Sequence, residues 1–123
     1  MTIIEAITNI DALKTNTYTQ NDKVKWLSRL DWMVKKEIID THDAEVPVEF
    51  TGYDETTDLY TELLVPAPYD EVYLRWLEAQ IDYANAEYGK YNNSIVMYNT
   101  AYTAYSNYYN RTHMPLGKER KYF

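Results

Sequence analysis

Twenty consecutive residues, 91–110, contain no charged side chain. Aromatic and aliphatic residues recur among them at steps of four and three, which places them on one face of an α-helix. Asn and Ser occupy the other faces, where a surface helix normally carries Lys and Glu. Because Asn, Thr and Tyr are mediocre helix formers, packing must stabilise this helix, which would be ~30 Å long. The patterned face consists of Tyr91, Ile95, Tyr98, Tyr102, Tyr105 and Tyr109.

Two locations are open for this tyrosine face. An uncharged surface suits burial against a second copy of the chain, because no ion has to be desolvated and Tyr hydroxyls can find partners. The face could instead be the core of the single chain, with its hydroxyls at the edges. The chain has 14 Tyr and only 2 Phe, and Tyr combines a large contact area with a polar tip. We therefore predict an oligomer interface formed by Tyr91, Tyr98, Tyr102, Tyr105 and Tyr109.

Three earlier segments have the pattern of amphipathic helices. The first covers residues 2–13 and begins with Thr2 and Glu5 at the spacing of a capping box. The second runs from about residue 21 to about residue 41, and the third starts near Pro68, which suits a first helical turn. The sequence therefore predicts a mainly α fold, a small bundle of about four helices in a single domain that spans residues 1–112.

The residues between the second and third helices, 43–68, form an acidic insertion. From Glu37 to Leu74, both included, the chain contains 11 Asp and Glu and no Lys or Arg. Alternation over residues 46–50 is typical of a short strand, and residues 59–65 could pair with it as a β-hairpin. The insertion is otherwise a solvated acidic loop, or an arm that contacts a neighbouring subunit or a basic partner. Its candidate contact residues are Asp54, Glu55 and Asp58.

The C-terminal residues 113–123 are predicted to be a flexible basic arm, since they are too short and polar to form a core. The arm either frays or becomes ordered on a partner, for which terminal aromatic rings are useful anchors. Its candidate binding residues are Arg111, Lys118, Arg120, Lys121, Tyr122 and Phe123.

Composition excludes several classes of protein. A net charge of −7 disfavours an independent nucleic-acid-binding domain, and the chain has no apolar run long enough to span a membrane. The first residues have no basic segment followed by a long apolar one, so we expect no secretory signal and an intracellular, soluble domain. The absence of Cys removes disulfides, thiolate catalysis and Cys-ligated zinc.

Residues for catalysis are also sparse. His42 and His113 are the only histidines, and neither has a second His or Cys at a metal-ligand spacing. The three glycines lie far apart, which excludes a phosphate-binding loop. We therefore expect no enzyme, no metal and no cofactor.

The order of elements is a short acidic N-terminal helix, the helix WLSRLDWMVKKEI, an acidic insertion, and then LLVPAPYDEVYLRWLEAQIDYANAEYGKYNNSIVMYNTAYTAYSNYYNRTHMP. This order resembles the head–tail connector, or adaptor, proteins of tailed phages and prophages. The resemblance covers most of the chain, although the tyrosine-rich helix and the long insertion depart from the simplest form of that family.

The resemblance implies a virion protein at the head–tail interface, present in the host cytoplasm during assembly. Its subunits would form a ring that docks on the portal protein through the basic arm. The ring would bridge the portal to the next connector or tail-completion protein, while DNA passes through the channel without specific binding. The alternative hypothesis is a small acidic regulatory or inhibitor protein that binds a host protein through residues 43–68.

Overall fold

The computed structural model describes residues 1–42 and 48–116. The described part is mainly helical, which confirms the predicted fold class of about four helices. The second helix ends earlier than predicted and is followed by a short 3₁₀ turn, Ile39–Thr41. The helices are α1 (Ile3–Leu13), α2 (Gln20–Glu37), α3 (Glu71–Ala84) and α4 (Tyr88–Thr112).

The first two helices both begin with a capping box. In α1 the Thr2 hydroxyl accepts a hydrogen bond from the Glu5 amide at 3.2 Å, and the Glu5 carboxylate accepts one from the Thr2 amide at 3.1 Å. Thr19 and Asp22 exchange the same two bonds at the start of α2. These bonds satisfy N–H groups that have no partner inside the helix, so the helix starts are fixed by local sequence.

The last two helices form an antiparallel pair. The chain reverses between them with Ala86 in a left-handed conformation at φ 58°. Near the turn, the Ser94 hydroxyl donates a hydrogen bond to the buried Asp82 carboxylate at 2.5 Å. Further along, the Trp76 ring lies 5.0 Å from the Tyr98 ring. Since α4 makes its extensive helix contacts with α3, it is the outer layer of the bundle.

The centre of the core lies among α1, α2 and α3, and three buried tyrosines of α4 extend it. The Lys14 ammonium pairs with the Asp82 carboxylate, and this contact joins the end of α1 to α3. The Trp76 indole donates a hydrogen bond to the Trp26 carbonyl at 2.7 Å, which joins α3 to α2. Large side chains that are almost completely buried here are Ile3, Ile10, Leu27, Leu30, Ile38, Tyr73, Leu77 and Ile81.

The hairpin expected within the insertion is wrong for the residues that the structure describes, because residues 48–65 contain no strand. The later part of the insertion lies against the start of α1. The carbonyls of Leu59 and Thr61 accept hydrogen bonds from the amides of Ile4 and Ile3 at 2.9 and 3.1 Å. First-turn amides lack partners within a helix. These amides therefore bind the segment that contains Leu59 and Thr61. The alternation pattern predicts instead that this segment pairs with a strand over residues 46–50.

A buried carboxylate attaches the insertion to the bundle. The side chain of Asp31 is completely buried in α2 and accepts hydrogen bonds from the hydroxyls of Tyr53 and Tyr73 at 2.5 and 2.6 Å. It also accepts one from the Leu64 amide at 3.1 Å, while the Tyr73 hydroxyl accepts one from the Val65 amide at 2.7 Å. A buried carboxylate without these donors would be strongly destabilising. Asp31 therefore fixes the insertion to α2 and α3.

We expect the substitution Asp31→Asn to change the pH dependence of unfolding. Burial raises the pKa of Asp31, and the hydrogen bonds from the two tyrosines only partly oppose this shift. A carboxyl group with a raised folded-state pKa contributes stability below about pH 4, and that contribution is lost as the pH rises through the folded-state pKa. In urea unfolding from about pH 4 to about pH 8, the original chain should lose stability relative to Asp31→Asn. A difference that stays constant over this range would contradict the expectation.

Candidate assembly interface

The tyrosine face of α4 is turned toward α3. Tyr98, Tyr105 and Tyr109 are buried, with 7%, 3% and 8% of their surface exposed. Tyr91 and Tyr102 are half-buried at its edges. These five residues are therefore brought together within the single chain, which is the second of the two locations considered above.

Aromatic neighbours from other elements cover these rings. Tyr69, just before α3, lies 5.8 Å from the Tyr105 ring and 4.8 Å from the Tyr108 ring. The Tyr102 hydroxyl donates a hydrogen bond to the Glu37 carboxylate of α2 at 2.6 Å. Burial raises the pKa of Tyr105 to about 12. An interface between copies through the five tyrosines stays a prediction, and a second chain could reach chiefly the edges of Tyr91 and Tyr102.

The opposite side of α4 is exposed and uncharged. Val96 is 60% exposed and Met97 is 46% exposed. By contrast, the exposed side of α2 carries Lys25 and Arg29, and that of α3 carries Glu71. We call this surface the uncharged α4 face; its residues are Asn92, Val96, Asn99, Thr100, Thr103 and Asn107.

The spacing of this face suits helix packing. Val96, Thr100, Thr103 and Asn107 follow each other at steps of four, three and four, the spacing at which side chains of one helix fit between those of another. Val96, Asn99, Thr100 and Thr103 line a shallow groove. Sequence reasoning noted the missing charges but assigned the contact to the tyrosines. The uncharged α4 face could have been identified from the Asn and Thr residues that lie between the tyrosines in the sequence.

The three acidic residues singled out from the sequence lie on one exposed turn, residues 54–58, which we call the acidic turn. Asp54 accepts hydrogen bonds from the Thr56 hydroxyl at 2.6 Å and the Thr56 amide at 2.8 Å. These bonds lower the pKa of Asp54. Asp58 accepts a hydrogen bond from the Tyr60 amide at 2.9 Å. The turn is thus held in a defined shape by its own side chains, with Glu55 exposed beside them.

The predicted basic arm is described only in part. Arg111 is exposed in the last turn of α4, whereas Lys118, Arg120, Lys121, Tyr122 and Phe123 lie outside the described residues. The first residues of the arm contact the bundle, because the Leu116 amide donates a hydrogen bond to the Thr41 carbonyl at 3.1 Å. The His113 ring stacks on the Tyr109 ring at 3.7 Å.

A cleft of about 630 Å³ lies beside this contact, and His42 lines it. The Nδ1 atom of His42 donates a hydrogen bond to the Ile38 carbonyl at 2.6 Å, and Nε2 lies 2.8 Å from the Asn110 side-chain oxygen. Both ring nitrogens are therefore engaged in holding the end of α2 to α4. Over residues 1–42 and 48–116, no three His, Asp or Glu side chains are grouped so that they could hold a metal ion.

The chain matches no protein-family model, no curated protein and no solved structure. None of the described helices combines the length and hydrophobicity that crossing a membrane requires.

Proposed function

We propose that this protein is a structural assembly protein, the subunit of a head–tail adaptor ring in a tailed phage or prophage. The ring would dock on the portal, bridge it to the next connector or tail component, and leave a channel for DNA. One observation carries the proposal: a 25-residue helix whose inner face is packed on α3 presents an exposed, uncharged face to its surroundings.

Charge explains why this face suits contact between copies. The chain has a net charge of −7, so identical subunits repel each other overall, and a contact surface without charge adds nothing to that repulsion. Asn and Thr side chains can exchange hydrogen bonds across a seam, and no ion has to lose its water. The uncharged α4 face is therefore a surface on which identical subunits can meet.

The size of the face favours a ring over an isolated pair. The uncharged α4 face runs from Asn92 to Asn107, which is ~23 Å along the helix, so a strip ~10 Å wide has an area on the order of 200 Å². Stable interfaces bury roughly 800 Å² on each partner, so this strip alone would give a weak pair. In a ring each subunit has two neighbours, and contacts with the portal add to the total.

The remaining roles follow from the resemblance to connector proteins. The basic arm, from Arg111 onward, would reach the portal, and its aromatic end would anchor it there. The virion location and the host cytoplasm as the place of assembly belong to the same proposal. Net acidity suits a conduit for DNA, because such a surface does not hold phosphate groups.

The alternative, an acidic regulator or inhibitor of a host protein, has one feature in its favour. The acidic turn exposes Asp54, Glu55 and Asp58. However, Tyr53 and Leu64 of the same insertion donate hydrogen bonds to Asp31, so much of this segment is held against its own chain. We prefer the adaptor ring for this reason.

The direct test is electron microscopy of the purified protein, alone and mixed with the portal protein from the same phage or prophage. We expect closed rings, either free or attached to the portal, and light scattering that increases with protein concentration. A chain that is monomeric at every concentration and never associates with portal would rule out this function. Association with a host protein, lost in high salt, would support the inhibitor instead.

A further inference from the structure

A basic ridge runs along the outer side of α2. Lys25, Arg29 and Lys36 are exposed on it, while Leu27 and Leu30 of the same helix are completely buried. The ridge is ~16 Å long, since eleven residues separate its first and last members at 1.5 Å per residue. We call Lys25, Arg29, Trp32 and Lys36 the α2 basic ridge.

An aromatic ring completes this ridge. Trp32 is 37% exposed, and the Lys36 ammonium lies 5.8 Å from the centre of its ring. The ring is supported by Phe50 at 4.8 Å and by the close approach of Gly52. A Cβ atom at position 52 would lie only 3.0 Å from the Trp32 ring nitrogen, and Gly52 has a positive φ of 88°, which favours glycine. The ridge therefore has a supported aromatic ring among its exposed cationic side chains.

The ridge cations differ from the neighbouring lysines of α2 in their ion pairing, in a protein with a net charge of −7. Over the described residues, Lys25, Arg29 and Lys36 form no ion pair, whereas Lys23 and Lys35 of the same helix pair with Asp11 and Asp40. The other paired cations are Met1, Lys14, Arg75 and Lys90. Three of the cations without a partner are therefore grouped on one surface.

The acidic turn carries the opposite charge, and its carboxylates also have no ion-pair partner among the described residues. Within the described part of the chain, Asp54, Glu55 and Asp58 pair with no cation, although all three are exposed. The hydrogen bonds from Thr56 to Asp54 keep the turn in shape, so little conformational entropy is lost when it binds. The described part of one chain thus presents a basic surface and an acidic surface on different elements, and neither has an ion-pair partner there.

We propose that the α2 basic ridge of one subunit binds the acidic turn of a second copy. Such a contact joins two different surfaces, so it has a direction, and repeated contacts of this kind close into a ring or continue as a filament. The inference rests on the proposed ring and adds to it: the uncharged α4 face provides contact area, and the charged contact orients neighbouring subunits. Exposed ion pairs contribute little one at a time, so their effect here is chiefly on orientation and association rate.

Zero-length cross-linking tests the contact directly. A carbodiimide joins an amine to a carboxylate only when the two are in contact, and mixing ¹⁵N-labelled with unlabelled full-length protein identifies links between different chains. We expect links from Lys25 or Lys36 of one chain to Glu55 or Asp58 of another, and their yield should fall in high salt because screening weakens the attraction between exposed charges. No link between chains, or a yield that high salt leaves unchanged, would overturn the proposal.

Charge reversal distinguishes this contact from other uses of the ridge. Lys25→Glu with Arg29→Glu should lower the yield of interchain links roughly tenfold, as should Glu55→Lys with Asp58→Lys. The four substitutions together should restore the yield of interchain links, because each surface then carries the charge that the other surface had. Lys90→Glu with Arg75→Glu, which makes the same change in net charge away from the ridge, is the control and should leave the yield unchanged. If the fourfold variant keeps its helical circular dichroism but the yield of interchain links does not recover, the proposal is overturned.

The outcomes also separate this inference from the proposed function. Rings that form normally without interchain links between ridge and turn would refute the charged contact alone. Interchain links in a protein that forms neither rings nor a complex with portal would refute the adaptor function and leave the contact standing. Binding of a polyanion such as DNA to the ridge, without links between chains, would overturn the contact in favour of another occupant.

Discussion

The double substitution Tyr98→Lys and Tyr105→Lys should unfold the protein and should not yield a folded monomer. Both rings are more than nine-tenths buried, Tyr98 against Trp76 and Tyr105 against Tyr69. Replacing a buried aromatic residue with a charged one removes its packing and buries an ammonium group, at a cost of roughly 3–5 kcal/mol each. The sum is comparable to the whole stability of a small domain, ~5–15 kcal/mol. Loss of helical circular dichroism and of a cooperative melt would be the measured result.

Phenylalanine provides the matched control. In the described part of the chain, neither the Tyr98 nor the Tyr105 hydroxyl makes a hydrogen bond to another group, so Tyr98→Phe with Tyr105→Phe should retain the fold. An unchanged melt for the lysine variant together with loss of assembly would contradict this expectation. It would place both rings in a seam between copies.

Lysine on the other side of the same helix should have the opposite effect. We expect Val96→Lys with Thr103→Lys to prevent assembly while the fold remains intact. Both positions are exposed, and Lys is a better helix former than Val or Thr. In a contact between copies each added ammonium group would have to be desolvated, so association should weaken on the order of 100-fold, or about 2.7 kcal/mol.

Sedimentation velocity at several protein concentrations measures this weakening. The control is Thr8→Lys with Ala12→Lys, which adds the same charge at exposed positions of α1 and should leave association unchanged. Unaltered association of the α4 variant would show that copies meet elsewhere. Together with the tyrosine substitutions, this experiment assigns the inner side of α4 to folding and tests the outer side for assembly.

Local sequence was sufficient for the presence of the helices and for the start of α1, whereas α3 begins at Glu71, later than predicted, and α4 begins at Tyr88. The capping box at Thr2 depends on neighbours three residues away, so it could be identified without knowledge of the fold. The spacing of Tyr98, Tyr105 and Tyr109 likewise identified one face of α4. What covers that face could not be predicted, because Tyr69 and Trp76 belong to other segments and periodicity does not identify a helix's partner.

The insertion was harder to predict, for a related reason. The partners of Leu59 and Thr61 are amides at the start of α1, more than fifty residues earlier in the chain. Asp31 gave one signal that could have been used. It follows Leu27 by four residues and precedes Val34 by three, so it lies on the apolar stripe of α2. A carboxylate at such a position requires donors, and the tyrosines of the insertion and of α3 supply them.

The attachment of the insertion to α1 bears on the order of folding. The amides of Ile3 and Ile4 obtain their partners only after the segment that contains Leu59 and Thr61 has been made. Contacts so distant in sequence slow the formation of the native structure. During synthesis the amides of Ile3 and Ile4 therefore cannot make these two bonds until Thr61 has left the ribosome, so this part of the stability of α1 is gained late.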